Sequence, residues 1–364
     1  MRMRGLVTAS AVVAVGVMTM GAGVTGASVV KPATRAGRST ATAARGRSTA
    51  TAARGSQTTE GAGTLAAPDA TVRTGICTSP PAHRELAAQL SADIQRALRG
   101  RADDHAVAVD DTVTGVSCYT DSGRHFDSAS IVKAIILAAL LRWHQETGTP
   151  LSSWEQGEAT QMITESDNDA ATDLWDEVGM SRLQHFLDLA QMNQTQLGDD
   201  GFWGLTQVTA HDEMLLLKLL TRPNSVLTAA SRDYQLGLMA QVIPSQRWGT
   251  PAGAPAGVTV HLKNGWLPES AGWHVNSIGA FTGKGRNYLI AVLTDDNPSE
   301  QYGIDTIEAV ARVVHRDLNQ GRLIPKARPV PKERLAVSVA SPAPSPSPWA
   351  VVPALPTPAP PPAP

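Results

Sequence analysis

A chain of 364 residues with 31 basic and 33 acidic side chains has a formal charge of −2, so it lacks the basic footprint that nucleic-acid binding requires. Its nine histidines are scattered without ligand spacing, so no metal and no cofactor is expected. The length alone would allow two domains, but the ends reduce that number.

Residues 1–27 begin "MRMRG" and continue through an apolar run to small residues at Thr25 and Ala27. That pattern reads as a secretory signal peptide, diluted by too much glycine, serine and threonine for a strong membrane anchor. Residues 28–73 hold the nonapeptide GRSTATAAR twice in tandem, at 37–45 and 46–54. Two copies without bulky apolar residues cannot bury a face, so the segment is expected to be a disordered linker. One large domain is expected over 74–324, a length able to bury a substantial core.

In that domain, Leu86, Leu90, Ile94 and Leu98 recur at helical spacing, which predicts a helix over 82–99. "HAVAVDDTVTG" and "VSCYTDSG" alternate and suggest a hairpin. Next comes "FDSASIVKAIILAALLRW", residues 126–143, an apolar helix interrupted by one lysine, Lys133. From 153 to 220 the pattern is helical, and the chain then returns to three strand-like runs and a closing helix. Strands drawn from both ends around a helical middle predict an α+β fold, an antiparallel sheet flanked by helices. Cys77 and Cys118 both lie early in the domain. In an exported protein they could form a disulfide tying the N-terminal segment to a strand, or remain two buried thiols; the bridge is the favoured reading. Beyond the domain, 14 of the 25 prolines fall in 325–364, predicting an extended or disordered tail suited to cell-wall association.

Three short stretches could carry chemistry, and each has a plainer reading. Ser130 and Lys133 share a helix face at i and i+3, so the amine could act as base for the hydroxyl; equally, Lys133 could snorkel to the surface. Ser166, Asp167 and Asn168 precede a helical run and could cap it, or Ser166 could pass a proton while Asn168 binds a substrate amide. Lys263, Asn264 and Gly265 end a strand-like run, either as a hairpin end or as a cationic edge for an acyl substrate and its carboxylate. His261 and His274 read as strand packing.

Taken in order, Ser130-x-x-Lys133, Ser166-Asp167-Asn168 and Lys263-Asn264-Gly265 resemble the three motifs of the penicillin-recognising serine enzymes. Phe126 and "MITESDNDAATDLWDEVG" look like class A β-lactamases in particular, and the resemblance runs over about 84–318. It implies a serine hydrolase with Ser130 as nucleophile, Lys133 as base and Ser166 relaying a proton with Lys263. Asn168, Lys263, Asn264, Gly265 and Trp266 would line the substrate site, with backbone amides of Ser130 and near Trp266 as oxyanion hole. The implied substrates are β-lactams or related acyl compounds, acted on by a secreted monomer. The alternatives are a D-alanyl-D-alanine peptidase or transpeptidase of peptidoglycan, and a catalytically idle binder of β-lactam or peptidoglycan.

Three departures stand out. Asn264 replaces the usual hydroxyl residue, and the 36 residues from Ser130 to Ser166 imply a reduced all-helical subdomain. The glutamate that activates the deacylating water in class A enzymes is missing from "LAQMNQTQLGDDGFWGLTQVTA". Asp199 or Asp200 could substitute, although adjacent acids between glycines also suit a solvated turn.

Overall fold

The computed structural model describes residues 71–199 and 201–319. The expected signal peptide, the tail, Asp200 and nearly all of the linker lie outside the described residues. Among the described residues no helix is long and apolar enough to cross a membrane.

Seven strands form one antiparallel sheet in the order β1-β2-β4-β3-β9-β8-β7: β1 (Val72–Thr74), β2 (Cys77–Ser79), β3 (Asp104–Asp111), β4 (Val116–Thr120), β7 (Thr259–Pro268), β8 (Trp273–Gly283) and β9 (Arg286–Asn297). The expected hairpin is β3–β4, and β3 pairs with β9, joining the two ends of the domain. The start of the domain needs correction. Val72 and Arg73, placed in the linker by composition, pair with Ser79 and Thr78 because Gly75 turns the chain at a positive φ. The disulfide between Cys77 and Cys118 is present, across the register of β2 and β4.

Strand alternation divides the core in two. Val107, Val109, Ile290 and Val292 meet α1 (Arg84–Leu98) and α8 (Glu300–Asn319), which cover one face of the sheet. Ala106, Ala108, Leu289, Ala291 and Leu293 face the helical layer. That layer holds α2 (Val132–Thr147), α3 (Ser153–Thr164), α4 (Asn168–Val178), α5 (Met180–Ala190), α6 (Ala210–Thr221) and α7 (Ala229–Met239). The sequence left α7 unassigned. Two short strands, β5 (His125–Asp127) and β6 (Gln207–Thr209), pair beside the layer.

Helix α2 is the central post. Every residue from Val132 to Leu141 is buried, as expected of a helix apolar on all sides. Fully buried Ile135, Ile136, Leu137 and Leu140 contribute about 2 kcal/mol each. Gly148, at a positive φ, ends the helix, with its N–H donating to His144 O. Packing on this scale fixes the N-terminus of α2, where Ser130 and Lys133 sit.

Candidate active site

Ser130 lies in a 3-10 turn, Ala129–Ile131, that leads into α2. Ala129 is held at φ +45°, a left-handed conformation strained for a residue with a Cβ. The turn is pinned from the sheet: the buried Asn276 amide donates to Asp127 O at 2.8 Å and Ser128 O at 3.2 Å, while Thr294 N donates to Asn276 Oδ1 at 3.2 Å. On the neighbouring strand, Gly265 pairs with Asn276. A Cβ on Gly265 would stand 2.6 Å from Ser130 N and 2.8 Å from Ser128 O. Only glycine lets β7 run this close to the nucleophile's backbone.

Lys133 has a relative exposure of 0%, which rules out snorkelling. Its Nζ donates to Ser166 O (2.7 Å), Asn168 Oδ1 (2.7 Å) and Ser166 Oγ (3.3 Å). Burial lowers its pKa from 10.5 to about 7, opposed by the negative charge of Asp167. Near neutrality a large fraction of the amine is therefore unprotonated.

Ser166 joins two buried amines. It sits at φ +60°, between α3 and α4, where Asp167 is the helix cap and accepts from Ala170 N. The backbone thus turns at Ser166, and its Oγ also accepts from Lys263 Nζ at 2.9 Å. Lys263 is 1% exposed and donates a second bond to Asn264 O. Burial first, then repulsion from Lys133, drives its pKa well below the ordinary lysine value. Among the described residues no carboxylate forms an ion pair with either amine.

Ser130, Lys133, Ser166, Lys263, Gly265 and the exposed Asn168 gather around one place. The expectation for Asn264 is corrected. Its side chain is 1% exposed and donates to Gln246 O and Trp248 O, strapping that segment to β7. Alternation explains it: Lys263 and Gly265 share one face of the strand, and Asn264 lies on the other. The Trp266 ring meets Trp248 edge-on at 5.7 Å. Asp199 is exposed in a turn where its carbonyl accepts from Phe202 N, and it forms no hydrogen bond with Ser130, Lys133 or Ser166.

Two contributors have no counterpart in the sequence reading. One is Asn276. The other is Trp203, in the 3-10 turn Trp203–Leu205, whose ring centroid lies 4.7 Å from Lys133 Nζ. His261 is structural, bonded to Leu236 O and Thr282 Oγ1, and His274 Nε2 lies 3.8 and 3.5 Å from carboxylate oxygens of Asp127 and Glu269.

A buried lysine poised near neutrality one helical turn after a serine, with a hydroxyl shared by a second buried lysine, is the equipment of serine acyl transfer. The profile of the beta-lactamase enzyme family matches residues 156–318, spanning the second and third motifs. The chain has the fold of the β-lactamases. A class A beta-lactamase from Bacteroides cellulosilyticus has this fold at 17% identity and TM-score 0.57, covering 65% of this chain and 99% of its own. A beta-lactamase from Desulfarculus baarsii is 20% identical, with TM-score 0.55 and coverages of 64% and 98%. PBP-A, solved as an L158E mutant in acyl-enzyme complex with penicillin-G, is 20% identical, with TM-score 0.56 and coverages of 65% and 97%. No curated protein sequence matches the chain. These likenesses are of fold.

Proposed function

We propose that this β-lactamase-type domain takes an acyl group from β-lactams or related small acyl and amide substrates onto Ser130. The observation that carries the reading is the Ser166 hydroxyl, held between the buried amines of Lys133 and Lys263. Lys133 accepts the Ser130 proton as Oγ attacks the substrate carbonyl. The developing oxyanion is met by the Ser130 amide at the start of α2 and by the backbone near Trp266. Ser166 passes a proton to the leaving nitrogen, with Lys263 as its other partner. Asn168, exposed beside Lys133, receives a substrate amide.

One observation favours a second reading, a D-alanyl-D-alanine peptidase or transpeptidase acting on peptidoglycan peptides: among the described residues no carboxylate is hydrogen-bonded to Lys133 or Ser166 to drive rapid hydrolysis. Either activity suits a protein exported by the N-terminal signal and held at the wall by its Pro-rich tail. Incubation with a penicillin, followed by intact-mass measurement, separates the outcomes. Adduct that forms and then disappears with hydrolysed antibiotic supports the β-lactamase reading, and a lasting adduct supports the peptidase. If no adduct forms and Ser130→Ala behaves as wild type, both enzymatic readings fail and an idle binder is left.

A further inference from the structure

We propose that Trp203 is a positioning residue that shields the Lys133 amine and the ester formed on Ser130 from water, so that the acylated state persists. The inference rests on the acylation reading above.

Lys133 Nζ has its three hydrogen-bond acceptors on α4 and the turn before it, and the face of the Trp203 ring covers it as well, 4.7 Å to the centroid. An indole face attracts an ammonium ion but neither deprotonates water nor offers it a strong acceptor. The ring is held at both ends of its reach. Trp203 Nε1 donates to Thr172 Oγ1 on α4 at 3.1 Å. Its turn is bonded to the nucleophile's own segment, since Ser128 Oγ donates to Gly204 O at 3.3 Å and Ser128 N to Thr206 O at 2.8 Å. Pairing of Phe126 with Val208, two residues beyond Thr206, extends the same connection. The indole is therefore bonded to α4 through its own Nε1, and the backbone that carries it is tied to the Ser130 turn.

Hydrolysis of the ester requires a water oxygen to bond to the acyl carbon while the bond to Ser130 Oγ breaks and a proton returns to that oxygen. The water must lie near the ester and lose a proton to a base. Among the described residues Lys133 is the base hydrogen-bonded within the site that is poised near neutrality, and Trp203 covers it. Asp199 stays in its exposed turn on the outer side, lining a cavity of about 310 Å³ with Phe202 and Leu205. Shielding of the amine by an apolar ring thus takes the place of a second base.

The test uses the full chain, a penicillin and intact-mass kinetics on wild type, Trp203→Ala and Trp203→Phe. Trp203→Ala should acylate within about threefold of wild type but lose its adduct at least about tenfold faster, and Trp203→Phe should keep the long-lived adduct. A purely structural role would slow formation and leave the lifetime unaltered, and that result overturns the proposal. Reductive methylation with peptide mapping needs no acylation: Lys133 should resist modification in the wild type and become reactive in Trp203→Ala. Methylation of wild-type Lys133 at the rate of surface lysines overturns the shield, whether or not the variant folds. Absence of any adduct on the wild type sinks the acylation reading instead, and the methylation result then decides the shield alone.

Discussion

Replacing Lys133 with methionine keeps the bulk of the side chain and deletes its amine. Burial holds that amine at about 7 instead of 10.5. At about 1.4 kcal/mol per pKa unit, a protonated Lys133 destabilises the fold by about 5 kcal/mol relative to one left in water. The sign follows from proton counting. Below pH 7 both states hold the proton and the penalty is complete; between 7 and 10.5 only the unfolded chain holds it, so stability rises with pH. Lys133→Met removes this dependence. It also relieves repulsion on Lys263, moving that amine back towards its ordinary value and flattening the curve further. Urea denaturation at pH 7.5, 8.5 and 9.5 should show wild type gaining about 2 kcal/mol on the variant over that range. The hydrogen bonds lost to Ser166 and Asn168 change the constant part of the difference, so the trend is the decisive quantity. Parallel curves would refute the claim that Lys133 is buried with a lowered pKa. The same variant, still folded, should form no penicillin adduct.

Gly265→Ala should slow adduct formation by about 100-fold, because its Cβ would collide with the Ser130 and Ser128 backbone and displace the nucleophile; acylation at the wild-type rate would show that the strand does not set Ser130's place. Asn276→Ala strips partners from Asp127 O, Ser128 O and Thr294 N, and should lower unfolding free energy by about 3 kcal/mol while slowing acylation. Denaturation combined with adduct kinetics checks it, and unchanged acylation would limit Asn276 to stability. Replacing Cys77 and Cys118 together with serine opens a loop of sequence separation 41 and should cost about 4 kcal/mol by chain entropy. Below its melting temperature that variant should still acylate, since the bridge joins β2 and β4, away from Ser130. Glu213 is fully buried with neither carboxylate oxygen partnered, and burial followed by repulsion from Asp212 pushes its pKa well up. Its effect runs opposite to that of Lys133: stability falls as pH rises from the ordinary carboxyl value through the raised one. Glu213→Leu should therefore gain about 2 kcal/mol at pH 7.5, and a thermal melt showing no gain would mean that water or a partner reaches the carboxylate.

The sequence was most legible where a periodic pattern ran long. The apolar run around Lys133, the alternation in β7 to β9 and the spacing in α1 all became the elements they suggest. Three-residue strands such as β1, β2, β5 and β6 are too short to show a period, and pairing alone defines them. The site divides the same way. Ser130, Lys133, Ser166 and Lys263 were readable as reactive types in order, but their convergence depends on the left-handed turns at Ala129 and Ser166, at which neither residue hints. The orientation of Asn264 was in principle available, since a strand that aims Lys263 and Gly265 at the nucleophile must turn Asn264 away. Asn276 needed the register that pairs it with Gly265. Trp203 carries no such signal, because an indole is not a base and its ring reaches Lys133 only through tertiary packing.

The surroundings of Lys133 favour taking a proton over returning it to water. Burial favours the neutral amine and the negative charge of Asp167 opposes it, which leaves the pKa at about 7. The proton released by Ser130 enters a place already lined with acceptors, the Ser166 carbonyl and Asn168 Oδ1. Hydrolysis asks for the reverse: the amine must shed that proton before it can activate water. The available route runs through Ser166 Oγ to Lys263, whose own burial resists the charge. Slow deacylation would thus have two separable origins. Opening the shield at Trp203 shortens the adduct most above pH 7, where the Lys133 amine is free to act as base, whereas the proton held by Lys133 lengthens it near and below pH 7, where the amine is occupied.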